Sequence, residues 1–316
     1  YINISYLYTH ICLQKYIMKF KNIYKANSLS SKTGILFLLL VTSVILHLML
    51  VVFLIVLFDG NGLHIIQNPD LSNQLCIDYL KLVQLFTSVG LFVTPILLYA
   101  YLTGFEFKFI SLEMREILTT ILIMIFITPF IALLLEWNMN VLFPEWLLFF
   151  DKNSDPIVIA FLKMETVYDF FYTLLVIAVV PAIGEELIFR GYLQQSMEKY
   201  FKSAHIAILL SALLFSFIHL ELKAIIPRFV LGGLLGYLYY WSGSLWLPIL
   251  AHFVNNAQAV VFSYFSFGFE GRAYFMLSES KVDPLIAVVS FFVTILLTYV
   301  LYKKLNLKKA SKRGLI

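Results

Sequence analysis

The sequence predicts an all-α fold, a polytopic membrane bundle of about eight transmembrane helices. Three observations predict it. The 316 residues are 61% hydrophobic and only 13% charged, with a mean hydropathy of +0.87, whereas soluble domains carry roughly 25% charged residues. Eight apolar runs approach the roughly 20 residues that a span needs; they lie at about 34–58, 79–103, 117–136, 166–189, 204–220, 225–241, 245–265 and 283–303. Basic residues alternate between the connections in the way the positive-inside rule demands.

The elements follow in order. Residues 1–33 carry Lys15, Lys19, Lys21, Lys25 and Lys32 and no acid. The chain begins at Tyr1 and its first methionine is Met18, so the sequence either starts upstream of its true start or is a fragment. The run 34–58 exceeds a signal-peptide core of about 7–15 residues and is expected to be a retained first span. With the N-terminus cytoplasmic, the inner segments hold those lysines, Lys108, Arg115, Lys199, Lys202 and a tail of Lys303, Lys304, Lys308, Lys309, Lys312 and Arg313. The outer loops hold Asp59, Asp70, Asp78, Glu145, Asp151 and Asp155. Both termini are therefore expected in the cytoplasm. Segment 137–165 is expected to be an interfacial helix or a lid on the outer surface, and 104–116 to lie on the inner surface in the same way. The 30 Phe and 19 Tyr suit lipid-facing surfaces and interfacial belts.

Composition also excludes. Cys12 and Cys76 are far apart, which points to neither a disulfide framework nor a cysteine metal site. No domain is left outside the bilayer to bind nucleic acid. No internal repeat is visible.

The chemistry concentrates in 166–265. Ionisable groups are costly in a membrane span and usually functional there, yet Glu185, Glu186, Arg190, His219 and His252 all fall in apolar runs. Glu186 and Arg190, four apart, share a helix face and can pair. Glu185 points about 100° away. Arg190 would then brace Glu186, while Glu185 faces a cavity as a general base; the plainer alternative is a solvated helix end at the interface. Gly184 and Gly191 permit close helix packing. Phe215 and His219 share a second face, and His252 and Asn256 a third. His252 and Asn256 could stabilise an oxyanion or serve as interhelical polar glue. Asn255 faces elsewhere, and His47 reads as a packing residue.

No nucleophile is evident. Ser211 and Ser216 lack an acidic partner, a G-x-S-x-G elbow and a paired lysine. There is no His-Glu-x-x-His. Glu185, His219 and His252 nonetheless match the ligand count of a catalytic zinc, which is kept as an alternative to no cofactor.

Glu185-Glu186-Leu-Ile-Phe-Arg190, Phe215-Ser-Phe-Ile-His219 and His252-Phe-Val-Asn-Asn256 resemble, in order and rough spacing, the three motifs of the CAAX protease and bacteriocin-processing (CPBP) family. This family contains the type II CAAX prenyl endopeptidases. The resemblance covers about 165–265, a four-helix catalytic core. It implies an intramembrane glutamic endopeptidase that needs no metal. Glu185 and His219 would activate the hydrolytic water, His252 and Asn256 would form the oxyanion hole, and Glu186, Arg190 and Phe215 would support. It also implies a peptide or protein substrate, lipidated in CAAX-type members, and membrane lipids as surroundings. Other members are linked to bacteriocin maturation or self-immunity. The compact sequence fits a bacterial member in the cell membrane.

Four regions are expected: 1–33, a basic cytoplasmic segment; 34–164, accessory helices and the interfacial segment; 165–265, the protease-like core; and 266–316, the last span and basic tail. The competing readings are a non-catalytic immunity or scaffold protein and a proton-coupled transporter; transporters usually show internal repeats. One geometric demand follows. At 1.5 Å per residue, His219 lies about 22 Å from Ala204, while His252 lies only about 10 Å from the same side. For them to meet, the helices must tilt, the 220–226 connection must sink, or the fourth helix must run past Arg190.

Overall fold

A computed structural model describes residues 20–148, 155–265 and 282–312. Cys12, Lys15, Lys19, Asp151 and Arg313 lie outside the described residues. The protein is an integral membrane protein, a polytopic bundle of helices. Eight long helices occupy the eight apolar runs: α1 Leu29–Phe58, α2 Gln74–Thr103, α3 Met114–Met139, α4 Val167–Phe201, α5 Ala204–Phe217, α6 Leu222–Ser242, α7 Trp246–Phe265 and α8 Pro284–Lys312. Among the described residues, six of these are long and apolar enough to cross a membrane; α5 is apolar but shorter, and α7 is not of the six. The 20-residue α7 carries His252, Asn255, Asn256 and Gln258, which dilute its apolar character.

Local chemistry sets the ends. Ser28 caps α1, its hydroxyl accepting from the Ser31 amide, so the helix starts before the expected Gly34. Thr166 and Asp169 form a capping box at α4, as Glu113 and Glu116 do at α3. Gly104 and Gly243 end α2 and α6 with φ of 67° and 66°, the left-handed conformation that glycine adopts without penalty.

The bundle is apolar outside and carries its polar groups inside. Phe37, Leu46, Met49 and Phe292 are more than half exposed, while Glu186, Arg190 and Asn138 are fully buried. This follows from the solvent: in hydrocarbon, polar groups must find partners within the protein. Helices α4, α5, α6 and α7 pack on one another, with α1 and α2 against α4 on one flank and α3 and α8 against α6 and α7 on the other. One buried cluster joins Ile123 and Met124 of α3, Leu235 of α6, Ala251 of α7 and Leu301 of α8. A second joins Leu36 of α1, Ile96 and Tyr99 of α2, Leu187 and Tyr192 of α4 and Ile249 of α7.

The two connections expected at the membrane surfaces take distinct forms. Residues 105–113 form no helix. They run alongside the α6–α7 turn: the Leu245 amide donates to the Lys108 carbonyl at 2.8 Å, and Ser244 Oγ donates to the Ile110 carbonyl at 2.7 Å. Phe105 and Phe107 pack against the second cluster, so the segment is anchored by its aromatics. Of 137–165, Trp137–Met139 complete α3, and short helices follow at Glu145–Leu148 and Asp155–Phe161. Phe161 packs with Ile77 and Val176 in a third cluster, against the ammonium of buried Lys81, 6.0 Å from its ring centroid.

Asn138 ties an accessory helix to the core. Its Nδ2 donates to the Leu222 carbonyl at 3.0 Å and its Oδ1 accepts from the Ile226 amide at 2.8 Å. Both partners lie in the first turns of α6, directly after the turn that carries His219 and Glu221.

Candidate active site

The longer fourth helix resolves the depth demand. Helix α4 continues to Phe201, and Lys202, at φ 54°, ends it before Ser203 caps α5. Glu186 lies 15 residues from Phe201, and His219 lies 15 residues from Ala204. At 1.5 Å per residue each is roughly 22 Å from the shared turn, so they lie at one depth.

Glu186 and Arg190 form a fully buried ion pair, with Nη1 2.7 Å from Oε1. Arg190 Nη2 donates to the Gly232 carbonyl at 2.9 Å, and one turn on, Gln194 Nε2 donates to the Gly236 carbonyl at 3.1 Å. These two steps zip α4 onto α6. The same two glycines admit α5 to α6: a Cβ on Gly232 would lie 3.2 Å from Ala212 of α5 and one on Gly236 2.9 Å from Ile208 of α5. Residues 187–194 are wound as a wider π-type turn, a form often found at functional sites.

Glu185 faces away from this pair and lines a cavity of about 310 Å³ together with Phe215, His219, His252, Asn255 and Asn256. Its Oε2 is buried and meets no hydrogen-bond donor among the described residues. His252 bridges the two carboxylates: Nδ1 is 2.8 Å from Glu186 Oε1, and Nε2 is 3.9 Å from Glu185 Oε2. His219 Nδ1 is 2.7 Å from the Phe215 carbonyl. A carbonyl can only accept, so Nδ1 carries the proton and Nε2 keeps its lone pair. The Phe215 ring is the hub of the site. Its centroid is 5.1 Å from the His219 ring, 5.8 Å from the His252 ring and 4.8 Å from the Arg190 guanidinium carbon.

Asn256 is aimed by a proline. Pro181 has no N–H to offer the carbonyl four residues earlier, that of Ile177, and Asn256 Nδ2 donates to it at 3.0 Å. Asn255 Nδ2 donates to Asn256 Oδ1 at 3.0 Å.

Every residue singled out from the sequence thus gathers here: Glu185, His219, His252 and Asn256 at the cavity, Phe215 on its wall, Glu186 and Arg190 behind. Asn255, expected to face elsewhere, also lines the cavity. Glu221 and Arg228, paired side chain to side chain, line it too and escaped the sequence reading. So did Gly232 and Gly236, although two glycines four apart in an apolar run signal a close helix contact. Among the described residues, no group of three or more His, Cys, Asp or Glu side chains is placed to hold a metal ion. His47 hydrogen-bonds within α1 and to Thr94, as a packing residue does.

Residues 168–258 match the family model for Rce1-like type II CAAX prenyl endopeptidases. The CAAX-endopeptidase match contains all seven site residues named from the sequence, and it bears out the resemblance read from the three motifs. The chain is also 31% identical over 112 residues to an uncharacterized protein, YpbD, of Bacillus subtilis (strain 168). That similarity covers 34% of this chain and 46% of the relative, so the chain spans about half the length of the curated relative it matches. No solved structure matches.

Proposed function

We propose that the protein is a CAAX-protease-like intramembrane endopeptidase that hydrolyses a peptide bond with water activated by Glu185 and His219. One observation carries the reading: Glu185 presents a buried carboxylate oxygen without a donor to a cavity it shares with two imidazoles and two amides. A water held there would meet two acceptors, Glu185 and His219 Nε2. Proton transfer to Glu185 then generates the attacking hydroxide. The scissile carbonyl becomes a tetrahedral oxyanion, which needs donors where its charge develops. The Nε2–H of His252 and the amide of Asn256 or its neighbour Asn255 supply them. Glu186 does not touch substrate; it orients His252 through Nδ1, and Arg190 holds Glu186. Collapse of the intermediate returns the proton from Glu185 to the leaving amine. No covalent intermediate forms, in keeping with a cavity that offers no serine or cysteine among the described residues.

The substrate is a peptide or protein reached within the membrane, lipidated if the CAAX likeness extends to specificity. The protein would reside in a bacterial cell membrane with both termini cytoplasmic, its core at 165–265.

The test is peptide-bond cleavage by the purified, detergent-solubilised protein on a library of lipidated and unlipidated peptides. Wild type is compared with Glu185→Gln, with and without a strong chelator. Cleavage that is lost in the variant and survives chelator supports the proposal. Cleavage lost to chelator would replace it with metal chemistry, and proton-coupled flux in liposomes without cleavage would replace it with transport.

A further inference from the structure

A second site lies outside the catalytic cavity, on the face between α6 and α8. It has two parts. The first is a groove of about 400 Å³ with an almost wholly apolar lining, from Phe291 to Tyr302 on α8 and from Val230 to Trp241 on α6. The second is a polar cavity of about 350 Å³, lined by Lys108, Lys308 and Lys309 with Ser111, Ser242 and Glu116. The two parts continue along the same helices. On α8, the groove residues Thr298 and Tyr302 are followed at helical spacing by Leu305 and Lys309 of the cavity; on α6, Trp241 is followed by Ser242.

We propose that this face binds one anionic phospholipid, its phosphate in the lysine cavity and one acyl chain in the groove. Three features favour that occupant. Charge is the first: Lys108, Lys304, Lys308 and Lys309 gather around Glu113 and Glu116, four cations against two carboxylates. Lys304 and Lys308 are held by those glutamates, and Lys309 donates to the Tyr240 carbonyl at 3.0 Å. Lys108 is exposed and makes no side-chain ion pair or hydrogen bond among the described residues. Basic pockets between spans are suited to anionic headgroups. Length is the second: 11 residues separate Phe291 from Tyr302, roughly 16 Å at 1.5 Å per residue. That matches one leaflet of a hydrocarbon core about 30 Å thick. The aromatic boundary is the third. Trp241 and Tyr302, with ring centroids 5.2 Å apart, stand between groove and lysines, where interfacial aromatics reside. A peptide would leave its backbone unpaired in so apolar a groove.

The experiment reads lipid retention by native mass spectrometry, after reconstitution of the full chain in nanodiscs with equal phosphatidylglycerol and phosphatidylcholine. Wild type should retain phosphatidylglycerol preferentially. Lys108→Gln and Lys309→Gln should each weaken that retention by about fivefold. Thr298→Trp, which fills the groove, should abolish it while the melting temperature in lipid-free detergent stays within a few degrees of wild type. Equal retention of the two lipids by wild type would overturn the proposal, as would undiminished preference in both lysine variants. Undiminished retention by a folded Thr298→Trp variant would also overturn it. If Thr298→Trp does not fold, the lysine variants decide alone.

Discussion

Nδ1 of His252 lies 2.8 Å from Oε1 of Glu186, the same oxygen that Arg190 meets at 2.7 Å. One carboxylate oxygen thus joins three helices: α4 through Glu186 and Arg190, α7 through His252, and α6 through the second Arg190 nitrogen at Gly232. Because Glu186 is ion-paired it can only accept, so the His252 Nδ1 carries a proton and Nε2 is turned to Glu185. The adjacent glutamates therefore have separate work, and separate substitutions should reveal it.

Glu185→Gln should lower kcat by about 10²–10⁴-fold, the range for loss of a general base. The melting temperature should stay close to wild type, because no hydrogen bond to Oε2 is lost. Cleavage assays paired with thermal unfolding in detergent check this. Full turnover by the variant would remove Glu185 from the base role.

Glu186→Gln should instead destabilise the protein by roughly 3–5 kcal/mol, because it leaves the Arg190 guanidinium buried without its counter-charge. Glu186→Gln combined with Arg190→Met should recover part of that stability. It should not recover full activity, since a neutral amide oxygen holds His252 Nδ1 more weakly than the carboxylate does. Recovery of both together would reduce the pair to a stabilising element.

Gly184→Ala should cost about 1–3 kcal/mol, the range for overpacking. The new Cβ would stand 2.6 Å from Phe92 Cβ and 3.1 Å from Val93 Cγ2. The displaced turn of α4 carries Glu185, so activity should fall more than stability predicts. An alanine variant with unchanged kcat and unfolding would contradict the close α2–α4 approach.

Asn138→Ala should lose about 1–3 kcal/mol for each of the two backbone groups left unpaired. The start of α6 should loosen with it. Hydrogen exchange at the Ile226 amide is the direct reading; protection equal to wild type would rule out the clasp.

How much of this was legible in the sequence depended on what each residue costs in a bilayer. Eight apolar runs became eight helices because spans advertise themselves by length and hydropathy. The end of α4 did not, since Gln194, Gln195, Ser196, Glu198 and Lys199 look like a loop to a hydropathy reading while the backbone winds on through them. Glu185, Glu186, Arg190, His219 and His252 were conspicuous because charge in hydrocarbon is costly without a reason. Asn255 was misjudged because a strict 100° step ignores how widely a cavity can face a helix. Glu221 and Arg228 were passed over because their pairing spans the α5–α6 connection, where no fixed periodicity brings side chains together. The extended course of 105–113 depends on Ser244 and Leu245, far along the chain, which no local pattern foretells.

Pro181 carries a consequence for assembly. Its missing proton leaves the Ile177 carbonyl, among those of its turn, without a backbone N–H four residues ahead, and Asn256 takes that place. Residues 175–179, just before the proline, wind as a π-type turn in which the Val180 amide reaches back to the Leu175 carbonyl, so Asn256 meets α4 where its hydrogen-bond ladder changes step. The proline therefore acts as a graduation mark on α4: it gives α7 one seating depth, and it does so four residues before the glutamate whose alignment depends on it.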